Sequence, residues 1–79
     1  MPIYLFVWND DIVAHLADNG IELDEFESVV QNPAFTQHSR TTGRPIAFGW
    51  TTEGRYIACI YELLDRVTVL PVTAYEVPD

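Results

Sequence analysis

Three short runs rich in β-branched and aromatic residues constrain the fold of this chain more than any other feature. They cover residues 45–51, 55–63 and 66–77, and Ile, Val, Thr, Tyr, Phe and Trp all favour strands. Two turn signals separate the runs. Glu53-Gly54 supplies a Gly that can take the positive φ of a tight turn, and Leu64-Asp65 lies between the second and third runs. The pattern predicts an antiparallel meander of three strands.

The lengths of the two turns predict which side chains share a face of the meander. If each turn is a two-residue loop, Trp50 lies opposite Ile57 and Cys59 lies opposite Leu70. Side chains alternate across a strand, so one face is heavier, and we expect it to be the core. Its residues are Ile46, Phe48, Trp50, Ile57, Cys59, Tyr61, Leu70 and Val72. The lighter face includes Tyr56, Glu62, Thr73 and Tyr75. A loop longer by one residue would exchange the two faces.

The first half of the chain predicts one strand and two short helices. Residues 3–8 alternate two apolar sets, so this strand is expected inside the sheet or covered on both faces. The same segment lacks the basic start and cleavage site of a signal peptide. A first helix is expected to start at Asn9-Asp10-Asp11 and to end at Gly20. A second, of about ten residues, follows Glu22 and stops at Asn32-Pro33.

The order β-α-α-β-β-β predicts one α+β domain over residues 1–79, an antiparallel meander sheet with a two-helix hairpin packed on one face. Residues 34–43 are polar and are expected to form a loop, with a short extended piece at most over residues 35–38. A hydrophobic content of 48% with 20% charged residues argues against disorder. The apolar runs are shorter than the ~20 residues that span a bilayer, so no membrane association is expected.

Cysteine and histidine usage limits the chemistry that the chain can perform. Cys59 has no partner for a disulfide within the chain, and we expect it to be a small buried hydrophobic residue. His15 and His38 are far from Cys59 and from each other in sequence, which gives no metal-ligand spacing. We therefore expect neither a metal nor another cofactor, and we expect His15 to be exposed.

The charge of this chain is unevenly distributed. The net charge is −8, with four Arg and no Lys. Residues 1–36 hold seven acids and no basic residue, so the predicted helices are acidic and all the arginines belong to the sheet half. Nucleic-acid-binding proteins usually present a basic face, which here would have to come from four arginines. The acidic half is either an ordinary solvated surface or a docking surface for a basic partner.

Short motifs in a fixed order resemble those of a known family. They are Trp8-Asn9-Asp10, Asn19-Gly20-Ile21, Asn32-Pro33, Gly43-Arg44, Gly54-Arg55-Tyr56-Ile57 and Thr73-Ala74-Tyr75. Together they resemble the BrnT-like toxins of the RelE superfamily over nearly the whole chain. The resemblance implies a RelE-like fold and a small cytoplasmic bacterial toxin that cuts RNA without a metal and is inhibited by a DNA-binding antitoxin. The chain departs from that family in having no Lys, an acidic first helix and Tyr75 in the closing motif.

Metal-free RNA cleavage needs a base for the 2′-hydroxyl, cations for the phosphate and an acid for the leaving oxygen. The candidate catalytic residues are His38, Arg44, Arg55 and Glu62. The histidine or the glutamate would be the base, and the arginines would hold the phosphate in bidentate geometry. The candidate substrate-binding residues are Trp8, Arg40, Tyr56, Thr73 and Tyr75. A tyrosine from this set would stack on a base or act as the acid.

Ordinary structural roles also explain these residues taken singly. Arg55 follows a turn, where a charged residue is common, Glu62 can pair with Arg66, and Trp8 fits a core position. The alternative to a ribonuclease is a non-enzymatic protein-interaction module on the same scaffold, which would bind a basic partner or form a homodimer. The acid excess and the absence of Lys favour this alternative.

Overall fold

The computed structural model describes residues 4–78, and within them the chain forms two helices and five strands. In chain order the elements are β1 (Leu5–Phe6), α1 (Asp10–Asp18), α2 (Leu23–Gln31), β2 (Phe35–His38), β3 (Pro45–Trp50), β4 (Tyr56–Leu63) and β5 (Thr68–Glu76). The strands form a sheet in the order β1-β5-β4-β3-β2. Neighbouring strands are antiparallel except β1 and β5, whose parallel pairing makes the sheet mixed. The predicted α+β class and the antiparallel meander β3-β4-β5 are confirmed.

Local capping signals set the bounds of α1 as the sequence predicts. The side-chain oxygen of Asn9 accepts a hydrogen bond from the backbone N–H of Ile12 at 2.9 Å. Gly20, at φ 75°, follows the end of the helix. The N–H of Ile21 then donates to the carbonyl of Leu16 at 2.9 Å, which is the long bond of a Schellman motif. Both of these apolar residues are buried, so the turn also begins the core.

The second helix starts at a residue whose side chain is a weak cap. The backbone N–H of Glu22 instead donates to the carboxylate of Glu25 at 3.0 Å, which satisfies one free donor at the start of α2. The helix ends before Asn32-Pro33, as predicted. Its buried side consists of Phe26, Val29 and Val30. Within residues 4–78, neither helix has the length and apolar character needed to cross a membrane.

The turn between β3 and β4 is one residue longer than the sequence prediction. The backbone N–H of Thr51 donates to the carbonyl of Arg55 at 2.8 Å, so three residues form the loop, and Gly54 takes the left-handed φ of 83°. Trp50 consequently pairs with Tyr56 and not with Ile57. The predicted register of β3 against β4 is wrong by one residue. The shift moves the heavy side chains of β3 away from the helices.

The connection between β4 and β5 also differs from the predicted two-residue loop. Leu63 pairs with Val69, and the pairing then shifts between Ile60 and Tyr61, where a bulge leaves Val72 outside the ladder. Cys59 therefore lies opposite Ala74 and not opposite Leu70. The predicted core positions on β5 are wrong for the same reason, since Val69 is fully buried while Leu70 and Val72 are half-buried.

The core lies between the two helices and the face of the sheet that carries the smaller β3 residues. It contains Ala47 from β3, Ile57, Cys59 and Tyr61 from β4, and Val69 and Ala74 from β5. An ideal Cβ on Gly49 would lie 3.1 Å from Cγ1 of Val29, so α2 approaches the sheet closely at this point. The predicted core residues of β4 are confirmed. Phe48 and Trp50 are not in this core, because α2 packs against the small residues of β3.

The two edge strands test two further predictions, of which the one for β1 is wrong. β1 is an edge strand, with Leu5 62% and Val7 42% exposed, and is not covered on both faces. Its alternate side chains Tyr4, Phe6 and Trp8 pack against the core, and residue 3 of the predicted strand lies outside the described residues. The short extended piece expected over residues 35–38 is confirmed and forms β2, the opposite edge of the sheet, so the predicted order β-α-α-β-β-β lacks one strand. Pairing with β3 stabilises this segment, which lacks an apolar period of its own.

The close approach of Val29 to Gly49 leads to a prediction about stability. Gly49→Val should lower the free energy of unfolding by about 1–3 kcal/mol, because the added side chain overlaps Val29. In a Val29→Ala background the same substitution should cost at least ~0.5 kcal/mol less. Urea titrations of the four proteins measure this coupling. If the losses of unfolding free energy from the two substitutions simply add in the double variant, the contact with Val29 does not limit the size of residue 49.

The hydrogen bonds of the Asp65 carboxylate lead to a prediction of how stability depends on pH. The backbone N–H of Val67 and the hydroxyl and N–H of Thr68 lower the pKa of this carboxyl from its ordinary 3.8. A lowered pKa in the folded state contributes stability above pH 3.8 that is lost as the pH falls through the folded-state value. Asp65→Ala should destabilise the protein at neutral pH, and the difference from wild type should narrow at acidic pH. Urea titrations across pH test this, with Glu53→Ala, in the other turn, as the control.

Candidate functional site

Aromatic side chains cover the face of the sheet opposite the helices. The open aromatic face is defined here by Phe35, Phe48, Trp50, Tyr56 and Tyr75. Four of these rings form a continuous row, with centroids 5.8 Å apart for Phe35 and Phe48, 6.1 Å for Phe48 and Tyr56, and 4.7 Å for Trp50 and Tyr56. Such cross-strand aromatic contacts stabilise a sheet on one face. The row runs across β2, β3 and β4.

Much of this face is accessible to solvent. Phe35 is 55% exposed, Trp50 58% and Tyr75 44%. Ile46 and Ala58 occupy the same face by register and are 7% and 0% exposed, so the larger side chains already shield its centre. Soluble monomers usually expose apolar residues singly, and a contiguous apolar patch often marks an interaction surface. The open aromatic face is therefore the candidate functional surface.

The charged residues are concentrated away from this surface. All seven acids of residues 1–36 lie on α1 and α2 or at their starts, and both helices pack on the other side of the sheet. By register, Glu62 lies on the open face, at one end of β4. The ladder pairs Ile46 with Ile60, which places Arg44 level with Glu62 on the neighbouring strand. The centre of the face is apolar, and its charges are at one end.

Three of the predicted catalytic residues lie at this end of the sheet, but only two of them are on the same face. His38 pairs with Pro45, directly before which lies Arg44, and the N–H of Ser39 donates to the carbonyl of Arg44 at 2.9 Å. Glu62 is on the next strand. Arg40 belongs to the exposed turn between β2 and β3. Phe35 lies on the open face and side chains alternate along β2, so the side chain of His38 is on the face opposite to Arg44 and Glu62. The structure therefore groups one arginine with the glutamate but leaves the histidine apart from them.

Arg55 lies at the opposite end of the sheet and has structural partners. Its Nη2 donates to the carbonyl of Gly20 at 2.8 Å, and its Nε is 3.6 Å from a carboxylate oxygen of Glu76. The pair of Arg55 with Glu76 is the single salt bridge within residues 4–78, so Glu62 does not form a salt bridge with Arg66. Seven residues of extended strand separate Arg55 from Glu62, roughly 23 Å, and Arg44 is level with Glu62. The two predicted arginines cannot hold one phosphate.

The predicted substrate-binding residues are also divided. Trp8 packs against Phe26 with ring centroids 5.4 Å apart, and its Nε1 donates to Glu27 at 2.8 Å, so it belongs to the helix side. Thr73 contacts His15 through its hydroxyl at 2.7 Å, a contact that the sequence did not predict. Tyr56 and Tyr75 both lie on the open aromatic face, which confirms the prediction that they share a face of the sheet.

Cys59 has no nucleophilic role in this fold. It is 0% exposed, and burial, with a smaller effect from the charge of Glu25, raises the pKa of its thiol to about 12. The thiol therefore stays protonated, and the prediction of a buried hydrophobic residue is confirmed. Among residues 4–78 there is no group of three or more His, Cys, Asp or Glu side chains that could hold a metal ion.

Comparison of the chain with protein-family models, with curated proteins and with solved structures found no match. Its own geometry is therefore the basis for inferring its function. Phe35, Phe48 and Trp50 are the surface residues that sequence reasoning missed. A signal was present in the small pair Ala47 and Gly49, because a helix that packs closely on a sheet requires small residues beneath it.

Proposed function

We propose that this protein is a non-enzymatic protein-interaction module that binds through its open aromatic face. The supporting observation is the continuous row of rings with Phe35 and Trp50 more than half exposed. An aromatic side chain buries ~150–250 Å² in a full contact, and apolar burial contributes ~25 cal/mol per Å². About half of each of Phe35, Trp50 and Tyr75 is still exposed, so covering them would contribute roughly 6–10 kcal/mol before the cost of association.

The charge distribution favours a protein partner over a nucleic acid. A surface that binds nucleic acid combines stacking rings with cations that contact phosphates along the strand. Here the centre of the face is apolar, the net charge is −8, and the arginine nearest to the face by register, Arg44, lies at one end beside Glu62. An apolar protein surface matches these properties better than a polyanion does.

A second candidate is the metal-independent endoribonuclease implied by the resemblance to BrnT-like toxins, with its RelE-like fold, cytoplasmic location and antitoxin partner. The observation in its favour is that Arg44 and Glu62 lie level with each other on the open face, at one end of the sheet. There, the glutamate would serve as the base and the arginine would hold the phosphate. His38 lies at the same end but on the other face by register, so it is not part of this proposed centre. Arg55 is not part of this proposed centre, because its guanidinium already binds the main chain of Gly20.

The interaction module predicts a cross-linking result in cells of the source organism. A photoreactive benzoyl-phenylalanine at position 35 should form a covalent adduct with another polypeptide chain, of this or of another protein. The same group at position 64 should form little adduct. Both positions are 55% exposed, but Leu64 lies in the β4–β5 turn and not on the open aromatic face. Trp50→Ser should suppress the adduct from position 35. Equal labelling from both positions would contradict a binding role for the face.

The ribonuclease candidate predicts a growth result after induced expression in a bacterial host. Wild type should arrest growth and cleave RNA, and Arg44→Ala should abolish both with an unchanged melting temperature. Arg55→Ala should instead lower the free energy of unfolding by about 1 kcal/mol, because the bond to Gly20 is lost. The readouts are colony counts, mapped RNA ends and thermal unfolding. Absence of arrest and of RNA cleavage with the wild type would exclude this candidate.

A further inference from the structure

We infer that the open aromatic face binds a second copy of this chain, with the two sheets packed face to face as a homodimer. This inference rests on the proposed function, because it names the partner of the same surface. Three properties described above support it, namely the apolar centre of the face, the position of the acids and the size of the sheet. Each is a requirement that a self-complementary surface has to meet.

The apolar centre makes the face complementary to itself. A surface that meets its own copy brings like charges together unless opposite charges alternate or charges are absent. The strands place aromatic and aliphatic side chains across the centre, and Arg44 and Glu62 lie together at one end. No like-charge contact therefore opposes the approach of two copies through the centre of the described face.

The position of the acids allows a chain of net charge −8 to associate with itself in one orientation. Two sheets pack ~10 Å apart, and a helix lies about 10 Å from the sheet that it covers, so face-to-face packing separates the two helical layers by ~30 Å. That is nearly four times the Debye length of ~8 Å at physiological salt. Contact through the helices would instead bring seven acids of each copy together.

The size of the sheet predicts a moderate affinity. Five strands at ~4.8 Å spacing and an average length of about 20 Å give a face on the order of 450 Å² in projection. Protruding rings such as Trp50 increase its accessible area towards the ~800 Å² per partner of standard interfaces. An interface at the lower end of this range fits dissociation in the micromolar range.

Sedimentation equilibrium of the purified protein tests this inference. Between about 1 and about 200 µM, a range that brackets micromolar dissociation, the mass should rise from 9.0 kDa towards twice that value. Raising the salt to about 1 M should not weaken the dimer, because charge does not hold it. Trp50 emission should shift to shorter wavelength over the same concentrations, since this side chain is 58% exposed in the single chain.

Two variants distinguish this interface from others. Phe35→Ser with Trp50→Ser should raise the dissociation constant at least about 30-fold, as expected for hot-spot aromatic residues. Leu64→Ser, which removes an equally exposed apolar side chain outside the face, should leave the constant unchanged. Circular dichroism and thermal unfolding check that each variant is folded.

Two results would overturn the inference. A mass of 9.0 kDa throughout would exclude the homodimer, and a dimer that survives the double substitution would exclude the open aromatic face as its interface. A monomer that still cross-links to a different protein from position 35 would contradict self-association but keep the interaction module. A monomer that binds single-stranded RNA only when Trp50 is present would assign the face to RNA and overturn both.

Discussion

The close contact between α2 and β3 determines which side of the sheet is buried. Val29 lies so near Gly49 that an added Cβ would be only 3.1 Å away, and Ala47 on the same face is fully buried. A helix can approach a sheet this closely only where the residues beneath it are small. The large side chains of β3 must then occupy the other face. The open aromatic face is thus a direct consequence of how the helical layer packs.

The parts of the fold that depend on short-range signals could be predicted from the sequence. Asn9 caps α1 and Gly20 ends it because their effects act within one turn of helix. Strand register could not be predicted in the same way, since it depends on loop length. Gly54 gives the same local turn signal whether it is the second residue of a two-residue loop or the third of a three-residue loop. The longer loop, however, moves every side chain of one strand to the other face.

Only part of the open aromatic face could be predicted from the sequence. Tyr56 and Tyr75 share a face in both the predicted and the observed register, because the error between β4 and β5 is four residues at that level and an even shift preserves the face. The rule that the heavier face is the buried one predicts Phe48 and Trp50 in the core. The free energy of burial favours large apolar residues inside, but helix packing geometry overrode this preference in β3.

The parallel pairing of β1 with β5 has a consequence for how the chain is made. Leu5 pairs with Thr68, so about 60 further residues must be synthesised before the partner of the first strand is present. At ~5–20 residues per second, a ribosome needs several seconds to make that stretch. During this time the apolar segment around β1 and the meander cannot complete the sheet. The native structure therefore forms late in synthesis, and until then the seven acids of residues 1–36 give the emerging chain a net negative charge.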